Sequence, residues 1–413
     1  MPMADSPEGF SFYSERFLND PAPDYAWMLS NHPVFLDKAT GMYVVSRYDD
    51  VRGILCDTVS WSSRNDQVFN RTSEIANEIR QMYEKDGWVA IDTLSTNDPP
   101  QHKHYRALVD RAFTHDRVAA IRPLIDELAR SLASRLADDA SVEFIEAFAA
   151  PLVAKIMAHL LGLNPDDSPT FRRWTHLLDE VINPCLPPER ERQITRGLIE
   201  MQHHLMDALK RKMADPDATL LSALANAEVA GERLTEEEIL NIAIQLFGAG
   251  SATTVAAIGS AIKHLADYPE VCAKLRAEPD AIPAFIEEIL RLEAPVQRLF
   301  RRATRDTRVG NVLIPRNAVV IVQIGSANVD HARFECPNLL DLGRPAAGRH
   351  LTFGTGAHFC IGNQLARAEL ASAVNTMVTG FRHIRLCTHA NPYEYSPVFI
   401  FRSLKRLEIS LRR

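Results

Sequence analysis

Hydrophobic residues recur at three- and four-residue spacing along most of this chain, which is the pattern of amphipathic helices. The pattern predicts helices over residues 48–56, 73–85, 101–108, 118–136, 142–161, 168–182, 189–214, 239–262 and 282–293, and another that begins at Asn363. Strands are predicted only at residues 41–47, 309–314 and 319–322, the last two forming a hairpin around a turn at Pro315. Helices therefore dominate the predicted structure.

One predicted helix is unusual because it carries no charge. Residues 239–262 are 24 positions without a charged side chain, which is long enough to span a bilayer. They nevertheless include Asn241, Gln245 and three glycines, and no Trp or Tyr marks either end. We therefore expect a helix that protein surrounds on all sides, rather than a membrane span. Thr235 and Glu238 form a capping box that predicts where it begins.

The composition is that of a large globular protein. Its 413 residues are 46% hydrophobic and contain no Gly/Ser- or Pro-rich linker, which predicts a single domain over residues 1–413. The net charge of −7 argues against a nucleic-acid partner. The six cysteines lie far apart, so neither a Cys-x-x-Cys metal motif nor a disulfide framework is expected. The first 19 residues lack the apolar core of a signal peptide, and a cytoplasmic location is expected.

A glycine-rich loop at residues 353–362 carries the most distinctive chemistry. It presents one thiol, Cys360, just before a predicted helix whose N-terminus favours a thiolate over a thiol. Gly354, Gly356 and Gly362 have no Cβ, so the backbone can approach a bulky planar ligand and direct amide hydrogens at the sulfur. Such a thiolate suits a nucleophile, a redox sensor or a metal ligand, while an inert buried cysteine is the simplest alternative. The sequence shows no evident His–Asp pair to support a nucleophile and no nearby second cysteine to support a redox sensor.

Six positions of this loop fit the pattern Phe-Gly-x-Gly-x-His-x-Cys-x-Gly: Phe353, Gly354, Gly356, His358, Cys360 and Gly362. The pattern resembles the heme-binding signature of the cytochrome P450 family. With further matches between residues 41 and 400, the resemblance covers almost the whole chain. It implies the fold of the soluble bacterial members, mainly α with a small β region, and heme b (iron protoporphyrin IX) as the cofactor. Cys360 is then the expected iron ligand, with Phe353, Gly354 and Gly362 against the heme.

The resemblance also assigns residues to the heme propionates. The spacing Asp-Pro-Pro-x-His-x-x-x-Arg places His102 and Arg106 on one helix face, which is equally typical of a solvated basic surface. In the family these two positions bind a propionate, and Arg301 matches a second propionate-binding arginine. His358 is expected to join them through charge-assisted hydrogen bonds.

The uncharged helix resembles the family's oxygen-activating helix. One of its faces carries mostly small side chains, at Gln245, Gly248, Ala249, Ala252 and Thr253. The motif Ala249-Gly250-x-x-Thr253-Thr254 matches the family, which makes Thr253, Ala249 and Gly250 the expected catalytic positions. The residue before the threonine is usually acidic and delivers protons, but here it is Ala252. Since acid–base help is worth on the order of 10²–10⁴ in rate, either water and another acid replace it or oxygen activation by the usual route is weak.

Two further sets of positions follow from the resemblance. Glu288 and Arg291 form a Glu-x-x-Arg motif that is buried in the family and tied to a later arginine, here Arg344, although a surface pair is the simpler interpretation. The expected substrate-facing residues are Gln245, Gly248, Val296, Gln297, Leu299 and Phe399. Gln245 is placed to hydrogen-bond a polar substrate or a water. A proline-rich break at residues 183–188 corresponds to a mobile entrance in the family, and a plain connector is the alternative.

The implied function is that of a heme-thiolate monooxygenase that inserts one oxygen atom of O₂ into a small organic substrate, by hydroxylation or dealkylation. Because no Gly-x-Gly-x-x-Gly, flavin or iron–sulfur segment is present, electrons are expected from a ferredoxin and an NAD(P)H-dependent ferredoxin reductase. An acidic ferredoxin is expected to dock on basic residues, which ordinary solvated charges also explain: Lys103, His104, Arg111, Arg349 and Arg367. A peroxygenase driven by hydrogen peroxide and a non-catalytic heme-binding or sensor protein are the alternatives.

Overall fold

The computed structural model describes residues 10–64, 75–111, 113–136, 141–182, 186–229, 231–345, 347–387 and 393–413. The helices are α1 (Glu15–Asn19), α2 (Ala22–Asn31), α3 (Tyr48–Cys56), α4 (Ala76–Asp86), α5 (Gln101–Asp110), α6 (His115–Ser134), α7 (Ala150–Leu161), α8 (Ser168–Val181), α9 (Pro188–Ala214), α10 (Leu220–Ala225), α11 (Glu236–Asp267), α12 (Pro269–Ala277), α13 (Ile282–Leu292), α14 (Ile324–Ala327) and α15 (Asn363–Gly380). The strands are β1 (Val34–Asp37), β2 (Met42–Val45), β3 (Trp61–Ser62), β4 (Ser141–Glu143), β5 (Glu228–Val229), β6 (Glu232–Arg233), β7 (Arg298–Ala303), β8 (Thr307–Val309), β9 (Val312–Ile314), β10 (Val319–Gln323), β11 (His383–Leu386), β12 (Glu394–Tyr395), β13 (Leu404–Arg406) and β14 (Glu408–Arg412). The protein is therefore mainly α-helical with several small sheets, as the sequence predicts.

The chain forms two compact units. The first comprises Met1–Ser63, Pro123–Ala149 and Thr253–Arg413, and the second comprises Arg64–Arg122 and Ala150–Ala252. The first contains the strands other than β5 and β6, together with the glycine-rich loop. Helices α6 and α11 contribute residues to both units. The single domain over residues 1–413 stays a prediction.

A five-stranded sheet in the order β1-β2-β10-β7-β3 organises the first unit. Strand β10 pairs parallel to β2 and antiparallel to β7, so that Val320 lies opposite both Tyr43 and Arg301. Runs of β-branched residues suit these strands because both faces of the pleat are covered. Val45 and Val322 pack into a core that includes Val51 and Ile54 of α3, which fixes α3 against the sheet.

The predicted hairpin between residues 309–314 and 319–322 is wrong. Strand β8 pairs with β9 through a turn at Gly310, so that Val309 lies opposite Val312. Gly310 has a φ of +55°, a conformation that favours glycine and allows the chain to reverse within the predicted strand. Strand β10 instead joins the large sheet, where β2 and β7 offer it two partners.

The predicted helix over residues 142–161 is correct only in its second part. Strand β4 pairs antiparallel with β14, with Val142 opposite Ile409, and a π-helical turn at Ile145–Ala149 leads into α7. Pairing with the distant strand β14, the central strand of its sheet, therefore overrides the local helical pattern at residues 142–144. The other predicted helices are present with ends shifted by a few residues. Residues 73–74 and 183–185, which belong to the predicted α4 start and the proline-rich break, lie outside the described residues.

Helix α11 contains the uncharged stretch. Thr235 Oγ1 accepts a hydrogen bond from the Glu238 amide at 3.2 Å, and Glu238 Oε2 accepts one from the Thr235 amide at 2.8 Å, so the predicted capping box is confirmed. By length and composition, α11 is the one described helix that could cross a membrane, but 56% of its most apolar window is buried inside the protein. The burial favours a core helix.

The second unit ties its helices together through side-chain contacts. Arg190 at the start of α9 donates two hydrogen bonds to Glu180 of α8, at 2.7 and 2.8 Å. Arg192 of α9 contacts Glu78 of α4 in the same bidentate way, at 2.7 and 2.9 Å. Bidentate pairs fix orientation as well as distance, so α9 holds α8 on one side and α4 on the other.

Candidate active site

The glycine-rich loop folds back so that Cys360 stands just before α15. The Cys360 amide donates to the Phe353 carbonyl oxygen at 2.8 Å, and the Gly354 amide donates to the Leu351 carbonyl oxygen at 2.8 Å. A short 3₁₀ turn, Gly356–His358, lies between them, and α15 begins at Asn363. The half-buried thiol thus sits at a helix N-terminus, as the sequence predicts, where partial positive charge favours a thiolate.

The three loop glycines serve different purposes. Gly354 and Gly356 have φ angles of +66° and +72°, which favour glycine. A Cβ on Gly356 would also lie 2.8 Å from the Leu55 carbonyl oxygen, so the end of α3 requires glycine here. A Cβ on Gly362 would meet no protein atom within 4 Å. Close approach to a ligand therefore suits Gly362, whereas Gly356 is explained by packing within the protein.

A side-chain network holds the loop from behind. Asn363 Nδ2 donates to the Cys360 carbonyl oxygen at 2.8 Å, and Asn363 Oδ1 accepts from Arg367 at 2.9 Å. Arg367 also donates to both carboxylate oxygens of Glu287, at 2.6 and 3.0 Å, and its guanidinium lies 4.4 Å from the centre of the Phe353 ring. The network therefore links both ends of the loop to α13.

Glu287 is the anion of this network. His350 Nε2 lies 3.3 Å from Glu287 Oε2, an oxygen that also accepts a hydrogen bond from Arg367. Burial raises the pKa of Glu287, but the contacts with His350 and Arg367 outweigh it and lower the pKa to about 2. Arg367, predicted to be a docking residue, is thus half-buried and neutralised by Glu287 in this structure.

Two of the predicted propionate residues lie in the first unit. His358 Nε2 is 3.0 Å from Ser63 Oγ, which orients its ring within the loop. Arg301 is buried on β7, where its Nη1 donates to the Phe300 carbonyl oxygen at 2.7 Å. Their roles toward a cofactor stay predictions.

The other two lie on α5 in the second unit. His102 and Arg106 share this helix at i and i+4, and His102 is only 2% exposed. A buried histidine does not fit a solvated basic face. Arg106 Nε donates to Asp110 Oδ1 at 2.7 Å. The neighbouring Lys103 and Arg111 are exposed.

The middle of helix α11 is more exposed than the parts on either side of it. Ile242 and Ile258 are fully buried, whereas Ala249 between them is exposed and Gly248, Ala252 and Thr253 are partly exposed. The predicted bare face is therefore accessible. On other sides, a Cβ on Gly248 would lie 3.3 Å from Leu178 and one on Gly250 3.1 Å from Met157, so these glycines also let α8 and α7 pack closely.

The side chain of Gln245 is hydrogen-bonded to other residues of the protein. Its Nε2 donates to Thr93 Oγ1 at 2.6 Å, and its Oε1 accepts from the amide and hydroxyl of Ser95 at 3.1 and 3.0 Å. One turn earlier, Asn241 Oδ1 accepts from the Ile91 amide at 3.2 Å. Helix α11 thus holds residues 91–95, and a substrate must displace Thr93 or Ser95 to bind the Gln245 amide as predicted.

The remaining predicted substrate residues come together in the first unit. The Gln297 amide donates to the Ile400 carbonyl oxygen at 2.8 Å, and Val296 forms an isolated bridge with Phe401, so residues 296–299 lie beside the last turn. Val296 and Leu299 are half-buried. Gln297 is buried and its side chain bonds to Tyr25 and to the Ala294 carbonyl oxygen. Phe399 stacks on Phe300 with ring centres 6.0 Å apart.

Glu288, Arg291 and Arg344 make the buried contact that the sequence predicts. Arg291 donates to the two Glu288 oxygens at 2.7 and 2.9 Å, and Arg344 Nε donates to Oε1 at 3.0 Å. Arg291 also donates to the carbonyl oxygens of Asn328 and Leu339, both at 3.1 Å. Burial raises the pKa of Glu288, but the hydrogen bond from Arg291 and the contacts beside it lower the pKa below its ordinary value. The motif fastens α13 to the segment that precedes the loop.

Comparison with known proteins decides the family. A sequence model described as Cytochrome P450 matches residues 37–400. The chain belongs to the cytochrome P450 family. It is 32% identical over 403 residues to cytochrome P450 107B1 of Saccharopolyspora erythraea, covering 96% of each chain. It is 33% identical to 6-deoxyerythronolide B hydroxylase of the same organism, over 77% of this chain and 78% of the relative.

Solved structures agree with this assignment. A cytochrome P450 from Chondromyces apiculatus superimposes with a TM-score of 0.87 and 29% identity, over 99% of this chain and 98% of that one. The protein therefore has the cytochrome P450 fold and is a cytochrome P450 monooxygenase with heme b as its cofactor. The predicted fold, enzyme class and cofactor are confirmed.

The residues of this cytochrome P450 fit a heme. Cys360 is half-buried at a helix N-terminus, as an anionic sulfur ligand requires. A Cβ on Gly362 would meet no protein atom within 4 Å, and Thr253, in the same unit, is partly exposed. The heme, when bound, supplies the oxygen chemistry itself, so the chain's own task is to hold it and to manage substrate and protons.

Sequence reasoning missed the residues that support this site. Asn363, Glu287 and His350 hold the loop, and Thr93 and Ser95 bind Gln245. Asn363 had a local signal, since a polar residue at the first turn of a helix often bonds to the preceding backbone. Glu287 had none, because its partner Arg367 lies 80 residues away.

Proposed function

We propose that this cytochrome P450 inserts one oxygen atom of O₂ into a small organic substrate, with electrons from an external ferredoxin and its NAD(P)H-dependent reductase, in the cytoplasm. The balanced reaction is R–H + O₂ + 2e⁻ + 2H⁺ → R–OH + H₂O. The half-buried Cys360 thiol at the α15 N-terminus carries the proposal, because a sulfur anion bound to heme iron favours O–O cleavage. A hydroxylase among the relatives agrees with a hydroxylation.

The roles of the remaining residues follow from their chemistry. His102, Arg106, Arg301 and His358 neutralise the propionates through charge-assisted hydrogen bonds. Phe353, Gly354 and Gly362 border the heme. The Thr253 hydroxyl, with Ala249 and Gly250 beside it, holds a water that carries protons. Gln245 keeps residues 91–95 against α11, and Val296, Leu299 and Phe399 provide apolar surface for substrate.

Electron supply by an acidic ferredoxin is supported by exposed basic residues. Lys103 and Arg111 of the second unit and Arg349 of the first are exposed. Arg111 also donates from Nη1 to the Glu228 carbonyl oxygen at 2.9 Å. Arg367 does not share this role, because its charge is balanced by Glu287. Reversing Lys103 to glutamate should slow reduction by ferredoxin several-fold at low salt and have less effect at high salt. Salt-independent reduction would contradict electrostatic docking.

The decisive test combines two measurements on the purified protein. The spectrum of the reduced carbon monoxide complex reports whether Cys360 ligates the iron, and the Cys360→Ser variant should lose that signature. A compound library screened for the Soret shift of displaced iron-bound water then identifies substrate classes, whose hydroxylated products are measured with ferredoxin, reductase and NAD(P)H. A wild-type spectrum typical of imidazole-bound iron would overturn the proposal.

A peroxygenase is the second candidate, and Ala252 favours it. Where the family usually places an acid, this chain has a methyl group, which removes a donor from the proton path of the O₂ route. Product formation with hydrogen peroxide but none with ferredoxin and NAD(P)H would establish this function. Absence of product with either oxidant, and of any substrate-induced Soret shift, would indicate a non-catalytic heme protein.

A further inference from the structure

Asp179 of α8 carries a half-buried carboxyl group that no described residue holds by a hydrogen bond or an ion pair. Burial, together with the negative charge of Glu180 beside it, raises the pKa of Asp179 to about 7. Glu180 itself is paired with Arg190. At neutral pH Asp179 is therefore present in both its protonated and its ionised form, which is the property that suits a general acid.

The contacts of α8 show how this helix crosses α11. Near its start, Phe171 contacts Phe247 of α11, with ring centres 6.2 Å apart. Two turns later, Leu178 contacts the next residue of α11, since a Cβ on Gly248 would lie 3.3 Å from Leu178 Cδ1. Successive residues of a helix point about 100° apart. From its start toward its end, α8 therefore passes around α11 from the side of Phe247 to the side of Gly248.

The same direction leads to the accessible face of α11. Ala252 lies one turn after Gly248 and about 40° further around the helix, and the exposed Ala249 is about 100° further. Asp179 directly follows Leu178, so it stands where α8 reaches this face. None of the three residues of α11 has a side chain that titrates or carries charge.

Asp179 is on the flank of α8 that faces away from α9. Leu177 packs against α9, and it points about 160° away from Asp179 around the helix. Helix α9 lies toward the N-terminal half of α11, because Gln202 of α9 and Asn241 of α11 bind the same segment, residues 88–91. The side chain of Asp179 is therefore directed along α11 toward its C-terminal half.

We propose that Asp179 is the proton-donating acid of this cytochrome P450, in place of the acid that the family usually carries where this chain has Ala252. The inference rests on the proposed function with O₂. A water beside the Ala252 methyl group accepts the proton of the Asp179 carboxyl and passes one of its own protons to the water held by Thr253. The carboxylate regains a proton from solvent, since it is only half-buried. Asp179 is unchanged over one cycle, and solvent supplies the two protons of the balanced reaction.

Infrared spectroscopy tests the protonation of Asp179 without turnover. Difference spectra of the heme-loaded full-length protein between pH 8 and pH 6 report the C=O stretch of carboxyl groups that gain a proton in this range. We expect a band that Asp179→Asn lacks. Asp166→Asn, at an exposed position just before α8, is the matched control and should retain it. Identical difference spectra for the wild type and Asp179→Asn would overturn the proposal.

Turnover and rescue test the role of the acid. With ferredoxin, reductase, NAD(P)H and a substrate found by the Soret screen, Asp179→Asn should lower product formation by on the order of 10². The substrate concentration that gives half of the Soret shift should stay at the wild-type value. The double variant Asp179→Asn/Ala252→Asp returns a carboxyl to the usual position and should recover most of the lost activity. A structural role of Asp179 would not be rescued from position 252.

The contrary outcomes are distinct from one another. Weaker substrate binding by Asp179→Asn, with wild-type turnover at saturation, would assign Asp179 to a cationic substrate and overturn the proposal. Absence of rescue in the double variant would also overturn it. Wild-type protein that forms no product with O₂ would overturn the proposed function as well, whereas wild-type turnover that Asp179→Asn matches would overturn the role of Asp179 alone.

Discussion

The side-chain amide of Asn363 donates a hydrogen bond to the backbone carbonyl of Cys360 at 2.8 Å. Its oxygen accepts from Arg367, which is paired with Glu287 on α13. The loop that presents the thiol is thus fixed by one helix residue that is itself fixed by a salt bridge. Residues behind a metal ligand typically set its orientation and tune the metal.

Replacing Asn363 by alanine should loosen the loop without removing the ligand. We expect heme to be retained, but a larger share of the reduced carbon monoxide complex to appear in the form that lacks thiolate ligation. The loss of a hydrogen bond of this kind is worth about 1 kcal/mol. Asn375→Ala, on the exposed face of the same helix, is the matched control and should give a wild-type spectrum. Identical spectra for both variants would show that Asn363 does not position Cys360.

Gly356 and Gly354 should respond differently to alanine. Both have positive φ, which costs a non-glycine residue about 1–2 kcal/mol. At Gly356 the new Cβ would in addition lie 2.8 Å from the Leu55 carbonyl oxygen, a backbone atom, whereas at Gly354 its nearest neighbour is 3.8 Å away. We expect Gly356→Ala to lower the melting temperature and heme content more than Gly354→Ala. The opposite order would show that α3 does not constrain the loop.

Local pattern and long-range packing differ in how well sequence predicts them. Sequence predicts helix α3 and the start of α15 because the hydrophobic spacing of both, and the acidic first turn of α3, lie within a few residues. Cys360 was predicted for the same reason, since its motif is continuous in sequence. The contact of Gly356 with Leu55 and the pairing of β4 with β14 join distant segments, and no local pattern records them. The hydrogen bond between Ser95 and Gln245 likewise joins distant segments, so the sequence does not predict that Gln245 binds the protein itself.

The pH dependence of stability should report the Glu287 network. The pKa of Glu287 falls from 4.5 to about 2 in the folded protein, so its contribution is present above about pH 4.5 and is lost as the pH decreases toward 2. The contribution is at most about 3.4 kcal/mol, since the pKa falls by about 2.5 units and one unit corresponds to 1.36 kcal/mol. The melting temperature of Glu287→Gln should lie below that of the wild type at pH 7, and the difference should narrow below pH 4.5. A constant difference between pH 7 and pH 3 would contradict the shifted carboxylate.

Gln245→Ala should free residues 91–95 from α11. The Ser95 amide loses its acceptor, so its hydrogen exchange in the folded protein should accelerate about 5- to 10-fold. Asn241→Ala is a companion variant that removes the acceptor of the Ile91 amide instead, and should accelerate exchange there. Exchange at Ser95 that is unchanged in Gln245→Ala would return Gln245 to its predicted role as a substrate contact.

Removing the carboxylate of Glu288 should have the most severe effect. Glu288 and Arg291 are fully buried, and Arg344 is almost so, so Glu288→Ala leaves two buried arginines without their anion. Breaking a buried pair in this way typically costs about 3–5 kcal/mol, which is a large part of the stability of a domain. We expect insoluble protein with little heme, measured as the soluble fraction and the heme-to-protein ratio. Glu270→Ala, at an exposed position on α12, should behave as the wild type. A soluble Glu288→Ala protein with full heme content would refute the role of this contact in fastening α13 to the segment before the loop.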